Sequence, residues 1–189
     1  HVNYKNIQFD GNKIRIIDPE AKLDLGGIAK GYVADELTTL LEKEGVTSAV
    51  INLGGNISTI GGKPDGGPFI IGIEKPYTDR TEIIGTTTAD NQTVVTSGIY
   101  ERQFQKDGKI YHHVLSSKTG YPVETQLEAV SLVAKKGRSM DIDAMSTICL
   151  MKGVDGGKAF IKKQKGVEAV FSAQGKEVAK TKGMKFTAE

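Results

Sequence analysis

The sequence is poor in several residue types, and each scarcity narrows the class of protein that it can encode. It has no tryptophan, one cysteine and three histidines in 189 residues. A single cysteine excludes an internal disulfide framework, and the apolar residues around Cys149 indicate a packed rather than a reactive thiol. Three histidines without HExxH or Cys/His spacing argue against a zinc site.

Long apolar runs and an excess of one charge are also missing. The chain has 25 basic and 23 acidic residues and a net charge of +2, and this balance argues against binding to nucleic acid or a membrane surface. No apolar run is long enough to span a bilayer, and no signal peptide or lipidation motif is present. Because the chain starts at His1 rather than methionine, we expect that an upstream part has been removed.

The apolar content, by contrast, is sufficient for one core. A chain of 189 residues that is 38% hydrophobic supports a single domain, which we predict to cover residues 1–189. Strand-like segments outnumber helical ones and occur mostly in hairpins, such as residues 3–17 and residues 104–115, with a turn at Asp107-Gly108. The pattern therefore predicts an α+β fold with a mixed, largely antiparallel sheet and helices packed on it.

Apolar periodicity also places the remaining elements. A helix after Gly27 is predicted to bury a stripe formed by Val33, Leu37, Leu40 and Leu41. Two further helices are predicted at residues 139–153, ending at Gly153, and at residues 154–165. Strands are predicted at residues 47–53, 57–60, 69–73, 86–95, 127–134 and 167–172. The first is expected to be buried, and the second and third are expected to pair with each other.

The helix at residues 139–153 carries an oxygen-rich face. Ser139 or Asp141 is expected to cap it, and helical spacing places Asp143 and Thr147 on one side, four residues apart. A carboxylate and a hydroxyl that converge in this way suit a hard divalent cation, especially Mg²⁺. The alternative is an acidic residue that stabilises the helix macrodipole and a threonine that bonds within its own turn.

Two glycine turns follow strand-like segments. The first, Gly26-Gly27, precedes a helix and is followed by Lys30, so it suits a phosphate with a lysine counter-charge. It matches neither the dinucleotide-binding fingerprint nor the P-loop, and a plain strand-to-helix connection explains it equally well. The second, at residues 54–56, is either a ligand-binding turn or a simple hairpin bend.

His112 and His113 end the hairpin at residues 104–115. Adjacent residues of a strand face opposite ways, so at most one imidazole is expected to enter a cleft. A half-buried polar residue is the alternative for His113.

Four segments together resemble the ApbE-type FAD:protein FMN transferases. Their sequences are DLGGIAKGYVAD at residues 24–35, NLGGN at 52–56, HVLSSKTG at 113–120 and DAMST at 143–147. The resemblance implies a Mg²⁺ ion held by the Asp143 carboxylate, the Thr147 hydroxyl and the Ala29 carbonyl. It also implies an FAD site, whose residues are Gly54, Gly55, Asn56, Ser97, His113 and Thr119, with Lys30 balancing phosphate charge.

The implied reaction transfers FMN from FAD to a threonine or serine hydroxyl of an acceptor protein, through a phosphoester bond, with release of AMP. We expect His113 to take the hydroxyl proton and Asp143 to act through the metal. An FAD pyrophosphatase, which gives FMN and AMP, and a non-catalytic flavin-binding module are the alternatives. Ser117 departs from the family pattern, which usually has proline there.

The family is also typically longer than this chain and anchored outside the bacterial cytoplasmic membrane by an N-terminal lipid. We therefore expect the chain to be the C-terminal part of a longer, membrane-anchored, extracytoplasmic protein. Nothing in the 189 residues shows that location.

Overall fold

Two helices and thirteen strands organise the residues that the computed structural model describes, 1–79 and 81–189. A 3-10 turn at Tyr4–Asn6 precedes the first strand. The helices are α1 (Ala29–Lys43) and α2 (Ser139–Ile161). The strands are β1 (Ile7–Asp10), β2 (Lys13–Ile16), β3 (Ala49–Asn52), β4 (Asn56–Ile60), β5 (Phe69–Glu74), β6 (Ile83–Ala89), β7 (Gln92–Gly98), β8 (Gln103–Lys106), β9 (Lys109–His112), β10 (Ala129–Lys135), β11 (Val167–Ala173), β12 (Lys176–Lys180) and β13 (Phe186–Ala188).

A six-stranded sheet in the order β12-β11-β10-β7-β4-β3 forms the centre, and each neighbouring pair is antiparallel. Helix α2 packs on β7, β10 and β11, and α1 packs on β3, β4 and α2. A three-stranded sheet, in the order β13-β6-β5, and the hairpins β1-β2 and β8-β9 complete the described structure. The predicted α+β class with a largely antiparallel sheet is confirmed.

The central sheet is buried on both faces because alternate side chains of its middle strands enter two cores. Val95 of β7 and Leu132 of β10 pack towards α2, together with Ile142 and Leu150 of that helix. The next residues along the same strands, Val94 and Val133, pack towards the three-stranded sheet instead. This two-sided burial explains the nearly continuous apolar run of β10.

Helix α1 buries a different face from the predicted one. Gly31, Ala34 and Thr38 are buried, whereas Val33 and Leu40 are 43% and 52% exposed. Small residues occupy the buried face of α1 because α1 and α2 are in close contact: a Cβ at Gly31 would lie 2.4 Å from the Ser139 carbonyl oxygen. The predicted stripe was therefore wrong for Val33 and Leu40, whereas Leu37 and Leu41 are half-buried.

Helix α2 begins and ends differently from its predicted boundaries. Neither Ser139 nor Asp141 caps it through its side chain, because the Asp35 carboxylate of α1 accepts from the backbone N–H groups of Ser139 and Met140, each at 3.0 Å. Gly153 interrupts the helix with φ 68°, as predicted, and the second part ends at Ile161. No helix in the described ranges is long and apolar enough to cross a membrane.

Three strand predictions were wrong and two hairpins are confirmed. The segment at 86–95 divides into β6 and β7, which lie in different sheets, at a turn where Asn91 has φ 50°. Strand β3 is a sheet edge rather than buried, and β4 pairs with β3 and β7, not with β5. The hairpins β1-β2 and β8-β9 form where predicted, the second with its turn at Asp107-Gly108, and β13 was not predicted.

Candidate active site

A cavity of about 510 Å³ opens where the first turns of both helices meet the end of β7 and the segment after β9. Its walls come from four separate stretches of sequence, which include the first glycine turn and the oxygen-rich face of α2. The lining residues are Asp24, Gly26, Gly27, Ala29, Lys30, Thr96, Ser97, Gly98, Glu101, Arg102, His113, Val114, Leu115, Asp143, Thr147 and Met151.

The three residues predicted to hold a metal all line this cavity. Ala29 lies in the first turn of α1, and Asp143 and Thr147 lie one turn apart on α2. The Asp143 side chain is 3% exposed, and its Oδ2 accepts from the Gly31 N–H at 2.9 Å. That hydrogen bond, together with the close packing at Gly31, holds the start of α1 against the acidic turn of α2.

The charge of Asp143 is only partly neutralised. Burial raises the pKa of its carboxyl, and Glu101 acts in the same direction, while the Gly31 N–H, Lys30 and Asn56 oppose them. A buried carboxylate that remains under-compensated favours a nearby cation. Since the described residues contain no cluster of three or more His, Cys, Asp or Glu side chains suited to a metal, a cation here would also need hydroxyl, backbone or ligand oxygens.

Lys30 joins the two glycine turns. Its Nζ donates to the Gly54 carbonyl oxygen at 3.1 Å, while the residue also lines the main cavity. Gly54 and Gly55 have φ values of 65° and 85°, which favour glycine, and they line an adjoining cavity of about 230 Å³. Thr96 and Glu101 line both cavities, so the second glycine turn borders the main cavity without lining it.

Asn56 and Ser97 lie close to this junction but in different environments. Asn56 is fully buried and does not line either cavity, which removes its side chain from direct reach of a ligand. Ser97 lines the main cavity and lies 2.6 Å from the Ser146 Oγ. Ser146 donates to the Asp143 carbonyl at 2.7 Å, so the Ser97 hydroxyl must donate to Ser146 and can only accept from a ligand.

Of the two adjacent histidines, only His113 lines the cavity. Its Nδ1 is 3.2 Å from the Arg102 carbonyl oxygen. Because a carbonyl only accepts, Nδ1 carries the proton and Nε2 of the neutral ring keeps a free lone pair. His112 is 8% exposed; burial lowers its pKa, and its Nε2 donates to the Val123 carbonyl at 3.2 Å.

Thr119 lies away from the cavity wall. It is exposed, and its Oγ1 accepts from the Tyr121 N–H at 3.3 Å within the turn at residues 116–120. Its predicted contact with the cofactor stays a prediction. Two charged wall residues, Glu101 and Arg102, were not predicted; the only signal for them was their position directly after the Thr96-Ser97-Gly98 strand end.

The ApbE family model matches residues 1–171. The chain belongs to the ApbE family. It is 39% identical over 160 residues to an FAD:protein FMN transferase of Klebsiella pneumoniae strain 342, covering 85% of this chain and 48% of that protein. It is 34% identical over 179 residues to an FAD:protein FMN transferase of Treponema pallidum strain Nichols, covering 90% of this chain and 49% of that protein.

Solved ApbE structures share the fold. The crystal structure of an ApbE protein from Thermotoga maritima superposes with a TM-score of 0.77 at 29% identity, covering 99% of this chain and 58% of that chain. The apo flavinyl transferase ApbE of Pseudomonas stutzeri gives 0.73 at 29% identity, covering 98% and 54%. This ApbE chain therefore spans about half the length of the curated relatives that it matches, and its expected ApbE-like fold is confirmed.

Proposed function

We propose that this chain forms the metal and diphosphate site of a Mg²⁺-dependent FAD:protein FMN transferase. The carrying observation is the single cavity that brings together Ala29, Lys30, His113, Asp143 and Thr147 from three distant segments. The family membership and the names of the relatives support the same activity. The names of these relatives imply FAD as the donor substrate and a protein as the acceptor.

The donor groups fit a magnesium ion. Ala29 offers a carbonyl oxygen, Asp143 a buried carboxylate and Thr147 a hydroxyl, and all are hard oxygen donors with room in the cavity for water and phosphate. When bound, the ion supplies charge stabilisation for the diphosphate of FAD as its P–O bond breaks. The protein alone neutralises the Asp143 charge only in part, and this supports a cation beside the carboxylate.

The other wall residues act directly on the substrates. Lys30 and Arg102 place positive charge beside the FAD diphosphate, which draws its oxygens into the cavity. The acceptor hydroxyl oxygen attacks the FMN-side phosphorus, the bond from that phosphorus to the bridging oxygen breaks, and AMP leaves with the bridging oxygen. The hydroxyl proton passes to the free Nε2 of His113. The product is FMN joined to the acceptor through a phosphoester.

Hydrolysis is the competing outcome at the same residues. The His113 side chain is exposed, so water can occupy the position of the acceptor hydroxyl. The products would then be free FMN and AMP. Incubation with FAD, Mg²⁺ and an acceptor that carries an Asp-Gly-x-x-[Ser/Thr] motif separates the outcomes by mass spectrometry, because only transfer adds one FMN to the acceptor.

Asp143→Ala tests the site itself. We expect turnover to fall by at least about 100-fold, since metal stabilisation of transition-state charge is worth several kcal/mol. Asp141→Ala is the matched control, because Asp141 lies in the same helical turn but pairs with Arg138 at the surface. Equal activity in wild type and Asp143→Ala removes Asp143 from the proposed role, and flavin binding without turnover in wild type supports a binding module instead.

The location of the full protein is a separate proposal. We infer from family membership an extracytoplasmic protein, held at the bacterial membrane by a segment outside these residues. Cell fractionation of the full-length protein, with and without its N-terminal segment, tests it.

A further inference from the structure

Asn56 is a buried side chain with one polar end held and the other unpaired. It begins β4 and is 0% exposed. Its Oδ1 accepts from the Ser139 Oγ at 2.8 Å. Its Nδ2 lies near enough to the Asp143 carboxylate to lower the pKa of that group, but it does not meet the geometry of a full hydrogen bond there or to any other residue in the described ranges. Buried amide donors without a partner are rare in native proteins, so this one calls for a physical reason.

Two hydroxyl groups lie next to the oxygen end of the amide. The Thr93 Oγ1 of β7 lies 2.5 Å from the Ser139 Oγ. The Ser139 hydroxyl donates to the Asn56 Oδ1, and the Thr93 hydroxyl donates to the Ile57 carbonyl oxygen at 3.0 Å. With its oxygen held by the Ser139 hydroxyl, the Asn56 amide turns its nitrogen towards Asp143.

We propose that Asn56 is a positioning residue that orients the Asp143 carboxylate for its cation, rather than a residue that touches flavin. The Gly31 N–H already holds Oδ2 at 2.9 Å from the α1 side. The Asn56 amide offers a second donor from the sheet side, so the carboxylate lies between donors from two elements. Partners of this kind commonly set the aim and affinity of a metal-binding carboxylate. The inference rests on the proposed function for its metal.

The test is the Mg²⁺ affinity of Asn56→Leu, which keeps the volume and removes both polar ends. Isothermal titration with Mg²⁺ alone, and electron paramagnetic resonance with Mn²⁺, report binding without flavin or acceptor. We expect the affinity to fall about tenfold or more, as for other residues that orient metal ligands. Turnover lost at low Mg²⁺ should return when Mg²⁺ is raised about tenfold, which a merely structural defect would not allow.

Thr38→Val is the matched control. Thr38 is 3% exposed between α1 and β4, and its hydroxyl bonds to the Ala34 carbonyl and the Ser58 Oγ, away from Asp143. This variant should keep wild-type Mg²⁺ affinity even if it unfolds more easily. Ser139→Ala serves if Asn56→Leu does not fold: it frees the amide to rotate, and a smaller but measurable loss of affinity is expected.

Failure of this inference differs from failure of the proposed function. Wild-type Mg²⁺ affinity in folded Asn56→Leu or Ser139→Ala, with binding abolished in Asp143→Ala, overturns the role of Asn56 and leaves the metal site intact. If the wild-type chain binds no Mg²⁺, the proposed metal role fails. Crystal structures of wild type and Asn56→Leu then test whether Asn56 orients the Asp143 carboxylate. A rotated Asp143 carboxylate in the variant supports positioning, and superposable carboxylates overturn it.

Discussion

At the scale of single residues, Asp143 sets how the site responds to pH. Burial raises the pKa of its carboxyl above the ordinary value of 3.8. Below that folded-state pKa the group carries a proton and offers no charge to a cation. A cation at the proposed site would therefore be released on acidification at a higher pH than one held by an exposed aspartate.

We predict that Mg²⁺ affinity falls as pH decreases through the raised pKa of Asp143. In the metal-free protein the sign of the stability effect is opposite: the native state binds the Asp143 proton more tightly, so this group's contribution to the free energy of unfolding falls as pH rises from 3.8 through the folded pKa. Urea unfolding of wild type and Asp143→Asn over this window measures it. A wild-type-minus-variant difference that does not change with pH would contradict the shift.

The sequence predicted site residues correctly where their spacing along one helix determines which face they share. Thr147 is the fourth residue after Asp143, so any helix there places both on one face, and in the structure both line one cavity. Asn56 was less accessible to prediction, because its burial depends on Thr93 and Ser139, which arrive from a strand and a helix far along the chain. Arg102 and Glu101 carry no motif that reveals a cavity wall.

At the scale of elements, the start of α2 depends on a side chain from another helix. The Asp35 carboxylate caps two backbone N–H groups of α2 at 3.0 Å each. The cap lies on the side of α1 that also holds Gly31 against Ser139. One short face of α1 therefore sets the position of the turn that carries Asp143.

Asp35→Ala should lower the free energy of unfolding by about 1 kcal/mol, because it removes an N-terminal cap and its charge from α2. Chemical denaturation measures the change. Glu36→Ala is the control, because Glu36 is the exposed neighbour of Asp35 on α1 and caps no helix among the contacts of the described residues. Equal destabilisation by both variants would mean that the effect comes from α1 alone.

Element prediction failed where tertiary contacts reversed a local pattern. The apolar stripe of α1 is strong in sequence, yet close helix packing selects the small face formed by Gly31, Ala34 and Thr38. The β-branched run at 86–95 looks like one strand because its turn, at Asp90-Asn91, uses no glycine or proline and relies on Asn91 at φ 50°. The Asp107-Gly108 hairpin was predictable because its turn residues suit positive φ.

At the scale of the whole molecule, burial is uneven. Strand β10 lies in the middle of the six-stranded sheet, and all its residues except Lys135 are buried. In the hairpin β1-β2 all strand residues except Ile7 are exposed, including Phe9 at 74% and Ile14 at 58%. Local stability should follow this gradient.

Hydrogen exchange should therefore be slowest for the amides of β10 and fastest, among paired strands, for those of β1-β2. A two-stranded hairpin with exposed faces has little apolar burial to oppose local opening. Exchange followed by mass spectrometry or NMR checks the order. Protection of β1-β2 equal to that of β10 would show that the hairpin is covered in solution.

The contact between Gly31 and Asp143 joins positions that are 112 residues apart. If the proposed cation binds between α1 and α2, it fastens that long loop, and by mass action it raises the free energy of unfolding by an amount that grows with the ratio of free cation concentration to Kd. A chelator then behaves as a mild denaturant of this chain. The melting curve becomes a gauge of site occupancy that needs neither flavin nor acceptor.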